Sequence, residues 1–538
     1  MLLLTNGSLM CQESGGRGWW RLTPDQQGSY VNGTWSALAS MAHSRLYYAS
    51  AVLADGRVFV AGGEYSDAGS DTNTAEIYDP VLNTWTSIAS PPGWNQIGDA
   101  PCAVLPDGRV LLGSIGSPQT AIYDPSTNTW TASAQKNDNS SEETWTLLPD
   151  ETVLTAECSN HPKSEKYVAA ADKWVNAGNI PVDLVQASSI EIGPAILLPN
   201  GRVFATGASG HTAIYAPPTI ANQPGTWTAG PDFPKDGNGN LMEAKDAPAC
   251  LMTNGRVLCV AGPAAEGGSF PGPTSFFEFD GAALTPVPNP PNNGGPPFVG
   301  RMLLIPTGQV LFATGSTQIF AYTPNGAGDP AWAPHVTSFP ATMESGHSYS
   351  LQGRQLNGLS QAVSYGDDCS CATNYPLVRI KHLASGKVYF CRTFNHTTMG
   401  VATGTSIQGT TFKVPFGAPV GESELAVIAN GIASNVCAVN VKPFHFWIFP
   451  NYEIVTRLIG SLADGPLWAL GPNGPVPVDP WGPKYIQPAK EAYASINSAL
   501  KTLERLALEV TAAEIKQNAT NRLPVKKEAT EVDKKAAA

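Results

Sequence analysis

The sequence of 538 residues is poor in charge and contains no long apolar run. Only 14% of its residues are Asp, Glu, Lys or Arg, and the formal net charge is −12. This shortage of positive charge argues against a nucleic-acid partner, because such partners usually require a basic stripe. No stretch approaches the 18 apolar residues of a membrane span, so the sequence predicts no membrane-spanning segment. The opening residues, Met1 to Thr5, are too few for the apolar segment of a signal peptide.

Cysteine is also scarce, with nine residues in the whole chain. Most lie in apolar strand patterns, where cysteine behaves as a small buried side chain. Four of them, Cys369, Cys371, Cys391 and Cys437, cluster late in the sequence and are predicted to form one or two disulfides. A zinc site that adds His396 is the alternative, although the spacing matches no ordinary zinc pattern.

The chain is rich in glycine (53 residues) and proline (46 residues), and it carries a repeated pattern. One repeat has an apolar run, the turn Asp55-Gly56, a second apolar run and an aromatic strand that ends at Trp85. The next has Asp107-Gly108 and Trp130 at the same positions, and the period is about 45 residues. Four short strands per repeat are typical of a β-propeller blade, because one small sheet cannot bury its own faces.

Seven such repeats span residues 1–340 and predict a seven-bladed, kelch-type propeller, whose first blade looks incomplete. The turns are Asn6-Gly7, Asp55-Gly56, Asp107-Gly108, Asp150-Glu151, Asn200-Gly201, Asn254-Gly255 and Thr307-Gly308. The closing tryptophans are Trp35, Trp85, Trp130, Trp174, Trp227 and Trp332, with Leu284 in the sixth repeat. Asn-Gly and Asp-Gly between apolar runs predict type I′ hairpin turns, in which both central residues have positive φ.

The remaining chain is predicted to contain three further parts. Residues 341–442 alternate like the strands of an immunoglobulin-like sandwich. Residues 443–483 form a Pro/Gly-rich connector, and residues 484–538 contain an amphipathic helix followed by a disordered tail. A helix docked on the sandwich is the simpler interpretation, while a coiled-coil seam would allow self-association. The predicted fold class is therefore all-β with a helical tail.

Kelch-type blades followed by an immunoglobulin-like domain resemble the galactose oxidase and glyoxal oxidase superfamily. The chain resembles more closely the bacterial kelch-motif proteins that carry a galactose-oxidase-like early-set domain, over about residues 1–442. The oxidases hold copper with two Tyr and two His, and one of the Tyr is cross-linked to a Cys. The resemblance makes Tyr47 and His396 the family-equivalent ligands. The family's Tyr-His pair is replaced by Phe298-Val299, so the resemblance implies the fold without the full copper site.

The repeat also aligns equivalent positions around the ring. The residue eight positions before each turn begins the innermost strand, at one mouth of the central channel. In blades two to seven these residues are Tyr47, Asp99, Glu142, Ile192 (with Glu191 beside it), Asp246 and Val299. Arg45 and Arg301 lie nearby in sequence, and the loops that carry Glu64, Glu157, His161, His211 and Glu266 are expected at the same mouth.

Converging carboxylates repel one another unless they gain protons, cationic partners or a bound ion. We therefore expect Asp99, Glu142, Glu191 and Asp246 to form a binding site for a glycan or a protein, or for a hard cation such as Ca²⁺. Alternatively, they cap strand ends around a water-filled channel. The expected function is non-catalytic binding, outside the cell or in its envelope. The alternative is a divergent copper-radical oxidase or another enzyme that uses the acidic mouth.

Overall fold

The structure is a computed structural model, and it describes residues 1–67, 69–364, 371–443, 468–471 and 474–477. These residues are almost entirely β-strands and loops, with three one-turn 3₁₀ segments at Ala169–Ala171, Pro297–Val299 and Pro330–Trp332. The predicted C-terminal helix and most of the predicted connector lie outside the described residues. Within the described part of the chain, no helix is long and apolar enough to cross a membrane.

The chain forms a seven-bladed propeller, as the repeat predicts, and each of the first six blades runs outward from the channel. Blade one is β1 (Leu2–Leu3), β2 (Leu9–Gln12), β3 (Trp19–Thr23) and β4 (Thr34–Leu38). Blade two is β5 (Ala49–Val52), β6 (Val58–Ala61), β7 (Ala75–Asp79) and β8 (Thr84–Ile88). Blade three is β9 (Cys102–Val104), β10 (Val110–Ser114), β11 (Ser117–Asp124) and β12 (Thr129–Ser133).

The later blades follow the same order. Blade four is β13 (Trp145–Leu147), β14 (Thr152–Ala156), β15 (Lys163–Val168) and β16 (Lys173–Asn179). Blade five is β17 (Ala195–Leu197), β18 (Val203–Thr206), β19 (Thr212–Ala216) and β20 (Thr226–Ala229). Blade six is β22 (Ala249–Leu251), β23 (Val257–Pro263), β24 (Ser275–Phe279) and β25 (Leu284–Val287), and the short β21 (Met242–Glu243) also pairs with β23. Blade seven is β26 (Arg301–Leu304), β27 (Val310–Ala313) and β28 (Ile319–Tyr322).

The closing tryptophans pack within blades and also join neighbouring blades. Trp85 pairs with Tyr78 across β7 and β8, and their ring centroids are 5.1 Å apart. The Tyr78 hydroxyl donates to Asn83 Oδ1 (2.9 Å), and Asn83 has φ 51°, a left-handed conformation that Asn tolerates well. Trp85 Nε1 donates to Ala39 O (2.9 Å) at the end of blade one. Tyr123 and Trp130 repeat this arrangement one blade later.

Blade seven departs from the prediction because it has three strands. Trp332 does not close the blade as a fourth strand. It lies in the 3₁₀ segment Pro330–Trp332 and packs over Gly255, where an added Cβ would meet its ring at 2.4 Å. The turns also differ from the predicted type I′. In blade two only Gly56 has positive φ (85°), and its N–H donates to Leu53 O (2.9 Å), as in a type I turn followed by a left-handed residue.

After blade seven the chain forms a second β unit. Its strands are β29 (His335–Ser338), β30 (Thr342–Glu344), β31 (Ser348–Arg354), β33 (Leu377–His382), β34 (Val388–Phe394), β35 (Ile407–Lys413), β36 (Gly421–Ala429), β37 (Ile432–Ala433) and β38 (Cys437–Lys442). The first half of β34 pairs with β33 and its second half pairs with β35, so one strand belongs to two sheet segments. Residues from both segments share one apolar core. The immunoglobulin-like assignment of this unit stays a prediction.

Among the eight described cysteines no disulfide forms, and Cys369 of the predicted cluster lies outside the described residues. Cys391 and Cys437 are both buried in the apolar core of the second unit. The predicted disulfides are therefore not found among the cysteines that are described. The hairpin of β39 (Trp468–Gly471) and β40 (Gly474–Pro477) completes the described strands.

The second unit sits on one face of the ring. We call the face with the Asp-Gly turns the turn face, and the face where the inner strands begin the mouth face. Thr393 N donates to Thr5 O (3.1 Å), and His396 N donates to Ala54 O (3.2 Å), beside the turns of blades one and two. The second unit therefore covers the turn face and leaves the predicted site on the opposite side.

From the turn face a segment of the second unit enters the central channel. β32 (Val363–Ser364) pairs with β22, the innermost strand of blade six. On the other side of the channel, Leu147 N donates to Gln361 Oε1 (2.8 Å), and Ser364 Oγ lies 3.0 Å from Thr144 Oγ1. The channel is thus lined by protein from two units and is not a simple water-filled tube.

Candidate functional site

The loops between second and third strands return to the mouth face, as predicted. Leu46 and Glu64 form a β-bridge, with Leu46 N donating to Glu64 O (3.1 Å). In blade four, Cys158 Sγ donates to Glu142 O (3.0 Å). Ser188 Oγ donates to Glu266 Oε2 (2.6 Å) from the blade six loop. Through these contacts the loops surround the positions where the inner strands begin.

Three of the four predicted carboxylates converge at the mouth. Glu142, Glu191 and Asp246 come from blades four, five and six, and one oxygen of each lies within 4.8 Å of the others. All three side chains are half-buried. We call these three residues the mouth triplet. Successive members of the triplet are about 50 residues apart in sequence, so it is the repeated blade geometry that brings them together.

The backbone at the mouth is held in an uncommon conformation. Tyr47, Glu142 and Asp246 have φ values of 49°, 60° and 43°, in the left-handed region that non-glycine residues rarely occupy. All three occupy the same repeat position in different blades. Local strain of this kind persists where the surrounding structure imposes it, and it tends to cluster at functional sites.

Asp99 occupies the equivalent position in blade three but is more deeply placed. Its exposure is 6%, and its carboxylate is not among the three that converge. The structure therefore separates it from the mouth triplet. The sequence alone gives no indication of this difference, because the four acidic residues have the same or adjacent positions in the repeat.

Tyr47 and Arg301 form a second group, from blades two and seven. The Arg301 guanidinium carbon lies 5.7 Å from the centroid of the Tyr47 ring, within the range of a cation–π contact. Arg301 Nη1 also donates to Phe298 O (2.7 Å) and Gly300 O (2.8 Å). The ring of Tyr65 lies 6.4 Å from that of Tyr47 in an edge-on arrangement. This group adds a cation and aromatic surface at the predicted mouth position.

Arg45, predicted to lie near the mouth, is instead a buried residue of blade two. Its side chain is fully buried and forms an ion pair with the buried Glu76 (Nη2 to Oε1, 2.8 Å). Arg45 Nη1 also donates to Gly62 O (2.6 Å) and Thr74 O (3.1 Å). A side chain with these partners and no exposure holds the blade together and does not line a mouth.

The two histidines predicted at the mouth lie on its outer loops, each beside a carboxylate. His161 Nδ1 is 2.6 Å from Asp183 Oδ2, and His211 Nδ1 is 2.8 Å from Asp232 Oδ1. Neither belongs to the carboxylate group that converges at the mouth. Their predicted role in ligand binding stays a prediction.

His396 lies on the wrong side of the ring for the role that the family resemblance gives it. It is 8% exposed, its Nδ1 is 2.9 Å from Thr410 Oγ1, and its ring stacks on Tyr375 at 6.3 Å. Burial, and to a lesser extent Arg392, lowers the pKa of His396 to about 3, so the ring is neutral. Its backbone bonds to Ala54, which lies seven residues beyond Tyr47, or about 20 Å along an extended strand.

The residues predicted for copper therefore do not fit a copper site. Tyr47 is at the mouth face, His396 is at the turn face, and Phe298-Val299 offers no metal-binding side chain. Two donors on opposite faces of the ring, whose backbones are separated by about 20 Å of strand, cannot share one ion, whose ligand bonds are about 2 Å long.

A separate cleft of about 700 Å³ lies at the turn face, between the propeller and the second unit. Its lining includes Thr253, Gly308, His335 and Asn435. Asn435 Oδ1 accepts from Val336 N (2.8 Å), so this amide holds the local backbone. The cleft lacks the converging charged groups of the mouth, and no pattern in the sequence predicts it.

Comparison with known proteins supports the repeat assignment. The kelch motif model matches residues 45–92, which is blade two with its flanking loops. A kelch-like protein, terF of Aspergillus terreus, is 30% identical over 131 residues, or 23% of this chain and 27% of that protein. The matched region thus spans about a quarter of that relative.

Two solved structures also match the chain at low sequence identity. One is a fungal alcohol oxidase of the AA5 family in complex with copper, with 14% identity and a TM-score of 0.48, over 82% of this chain and 96% of that one. The other is selenomethionine-substituted virginiamycin B lyase from Staphylococcus aureus, with 12% identity and a TM-score of 0.37, over 53% and 85%. The repeated sequence and the seven blades define the class of protein as a seven-bladed β-propeller, and the motif match identifies a kelch motif in its second blade.

Proposed function

We propose that this chain is a non-catalytic binding protein whose ligand docks at the mouth face of the propeller. The observation that carries the proposal is the convergence of Glu142, Glu191 and Asp246 within 4.8 Å. Three half-buried carboxylates supply a dense group of hydrogen-bond acceptors. Ionised carboxylates form stronger hydrogen bonds with hydroxyl donors than neutral acceptors do.

The ligand class that suits this arrangement best is a glycan. A sugar presents several hydroxyl donors in a small volume, which matches acceptors arriving from three blades. Tyr47 and Arg301 would add a ring face and a guanidinium beside the acceptors. A polar protein segment is the second ligand class, because kelch propellers commonly bind proteins. Either ligand is consistent with a protein that acts outside the cell or in its envelope.

A glycan array probed with the wild-type chain and the double variant Glu142→Gln/Asp246→Asn tests this proposal. Both substitutions keep side-chain size and remove the ionised acceptors, so we expect array binding to fall at least tenfold. Glu422→Gln is the matched control, because Glu422 is exposed on β36 of the second unit. Binding by the wild type that persists unchanged in the double variant would contradict the proposal.

A second measurement separates binding from catalysis. The purified protein would be analysed for bound metal and assayed for peroxide release with primary alcohols and aldehydes. Stoichiometric copper with peroxide formation would contradict the non-catalytic function. We expect no peroxide, because the residues predicted as copper ligands lie on opposite faces of the ring.

A further inference from the structure

Blade four contains a buried charged cluster that is separate from the mouth triplet. Among the described residues its one cation is Lys136, whose side chain is fully buried. Lys136 Nζ lies 2.6 Å from Glu143 Oε1, 3.2 Å from Asp138 Oδ1 and 3.5 Å from Glu165 Oε1. Glu157 completes the cluster, since one of its oxygens lies within 4.8 Å of oxygens from Asp138 and Glu165.

Glu143 and Lys136 satisfy each other within this cluster. Glu143 Oε2 accepts from Trp145 Nε1 (3.2 Å) and from Thr155 Oγ1 (3.1 Å), while Oε1 accepts from Lys136. Lys136 therefore offers one positive charge to a group of four carboxylates, Glu143, Asp138, Glu165 and Glu157. A buried group with this excess of like charge is unstable without protons or a bound cation.

Glu157 provides independent evidence that a ligand belongs here. The residue is 1% exposed, and its Oε2 has no hydrogen-bond partner among the described residues. By contrast, Glu165 Oε1 accepts from Asn137 N (3.0 Å). A buried acceptor without a donor destabilises the fold, and a charged acceptor does so more strongly. The unbonded oxygen belongs to the same carboxylate that approaches Asp138 and Glu165.

We propose that Asp138, Glu157 and Glu165 bind one Ca²⁺ ion. Carboxylate oxygens are the ligands that Ca²⁺ prefers, at about 2.3–2.6 Å, so two ligands on one ion are at most about 5 Å apart. The three oxygens lie within 4.8 Å of one another, which meets that requirement. Mg²⁺ usually keeps several of its waters and is seldom held by protein ligands alone, so the burial of Glu157 and Glu165 makes Ca²⁺ the better match. The site is distinct from the mouth and goes beyond the proposed binding function.

Ca²⁺ would compete with protons in this cluster. Burial, together with the charge of Glu165, raises the pKa of Glu157 to about 7. Burial raises the pKa of Glu143 to about 8 against the opposing effect of Lys136. Metal ligands must be deprotonated, so the binding of Ca²⁺ is tested at pH 8.

Isothermal titration of CaCl₂ into the chelator-treated full chain at pH 8 tests the site. We expect the titration to give one Ca²⁺ per chain. In a thermal unfolding experiment, Tm should rise by about 3 °C when the Ca²⁺ concentration is a hundredfold above Kd. Glu157→Gln should lose this ion, whereas Glu142→Gln in the mouth triplet should retain it. If Glu157→Gln does not fold, Asp138→Asn replaces it, because the Asp138 side chain is partly exposed (9%).

Three results would overturn the proposal. The first is no saturable Ca²⁺ binding by the wild type at millimolar concentration. The second is binding that Glu157→Gln or Asp138→Asn leaves intact. The third is loss of the ion in Glu142→Gln alone, which would assign it to the mouth. Loss in Glu157→Gln with retention in Glu142→Gln would support the proposal independently of any glycan result.

Discussion

Replacing Arg45 by methionine should destabilise the propeller strongly without altering the mouth. Arg45→Met keeps a side chain of similar length but removes the positive charge beside the buried Glu76. Removing one partner from a fully buried ion pair costs about 3–5 kcal/mol, because the other charge remains in a low-dielectric environment. Glu76 would keep only backbone donors, Ala42 N (2.8 Å) and His43 N (3.3 Å). These do not neutralise its charge, so we expect a loss in that range.

Denaturant unfolding followed by tryptophan fluorescence measures this loss. The double variant Arg45→Met/Glu76→Leu is the informative control, since replacing both members of a buried pair by apolar residues is often nearly neutral. It should recover most of the lost stability. A loss below about 1 kcal/mol for Arg45→Met would refute the assignment of Arg45 as a structural residue of blade two. So would reduced ligand affinity in the folded Arg45→Met protein.

Two further predictions concern pH. His396 has a folded pKa near 3, so the unfolded chain binds a proton below about pH 6.5 while the folded chain does not, and stability falls as the pH drops from 6.5. His396→Gln should therefore show a smaller fall in Tm between pH 7 and pH 5 than the wild type, and an equal fall would contradict burial of a neutral ring. Lys136→Met should cost about 3–5 kcal/mol at pH 8 but less at pH 5, where Glu143 and Glu157, with pKa values near 8 and 7, are protonated. Lys163→Met, an exposed lysine of the same blade, is the matched control, and equal losses at both pH values would argue against the Lys136 cluster.

The sequence predicts the parts of the molecule that repeat. The turn spacing identifies the blades, and the same spacing brings Glu142, Glu191 and Asp246 together before any contact is known. Trp85 and Trp130 lie in the predicted fourth strands for the same reason. Repetition works here because equivalent residues in each blade have equivalent distances from the channel.

The features that the sequence misses depend on one side-chain direction or on one long-range contact. Arg45 is two residues from Tyr47, yet its side chain turns into the blade to meet Glu76. The pairing of Val363–Ser364 with blade six joins segments more than a hundred residues apart, and no local pattern marks it. His396 belongs to the second unit, whose side of the ring has no signature in the repeat.

The most direct test of the mouth as a binding site is a crystal structure with the highest-affinity glycan from the array. We expect ligand density at the mouth face, with sugar hydroxyls within about 3 Å of carboxylate oxygens of Glu142, Glu191 and Asp246. Density in the turn-face cleft beside Thr253 and Gly308, with an empty mouth, would contradict it.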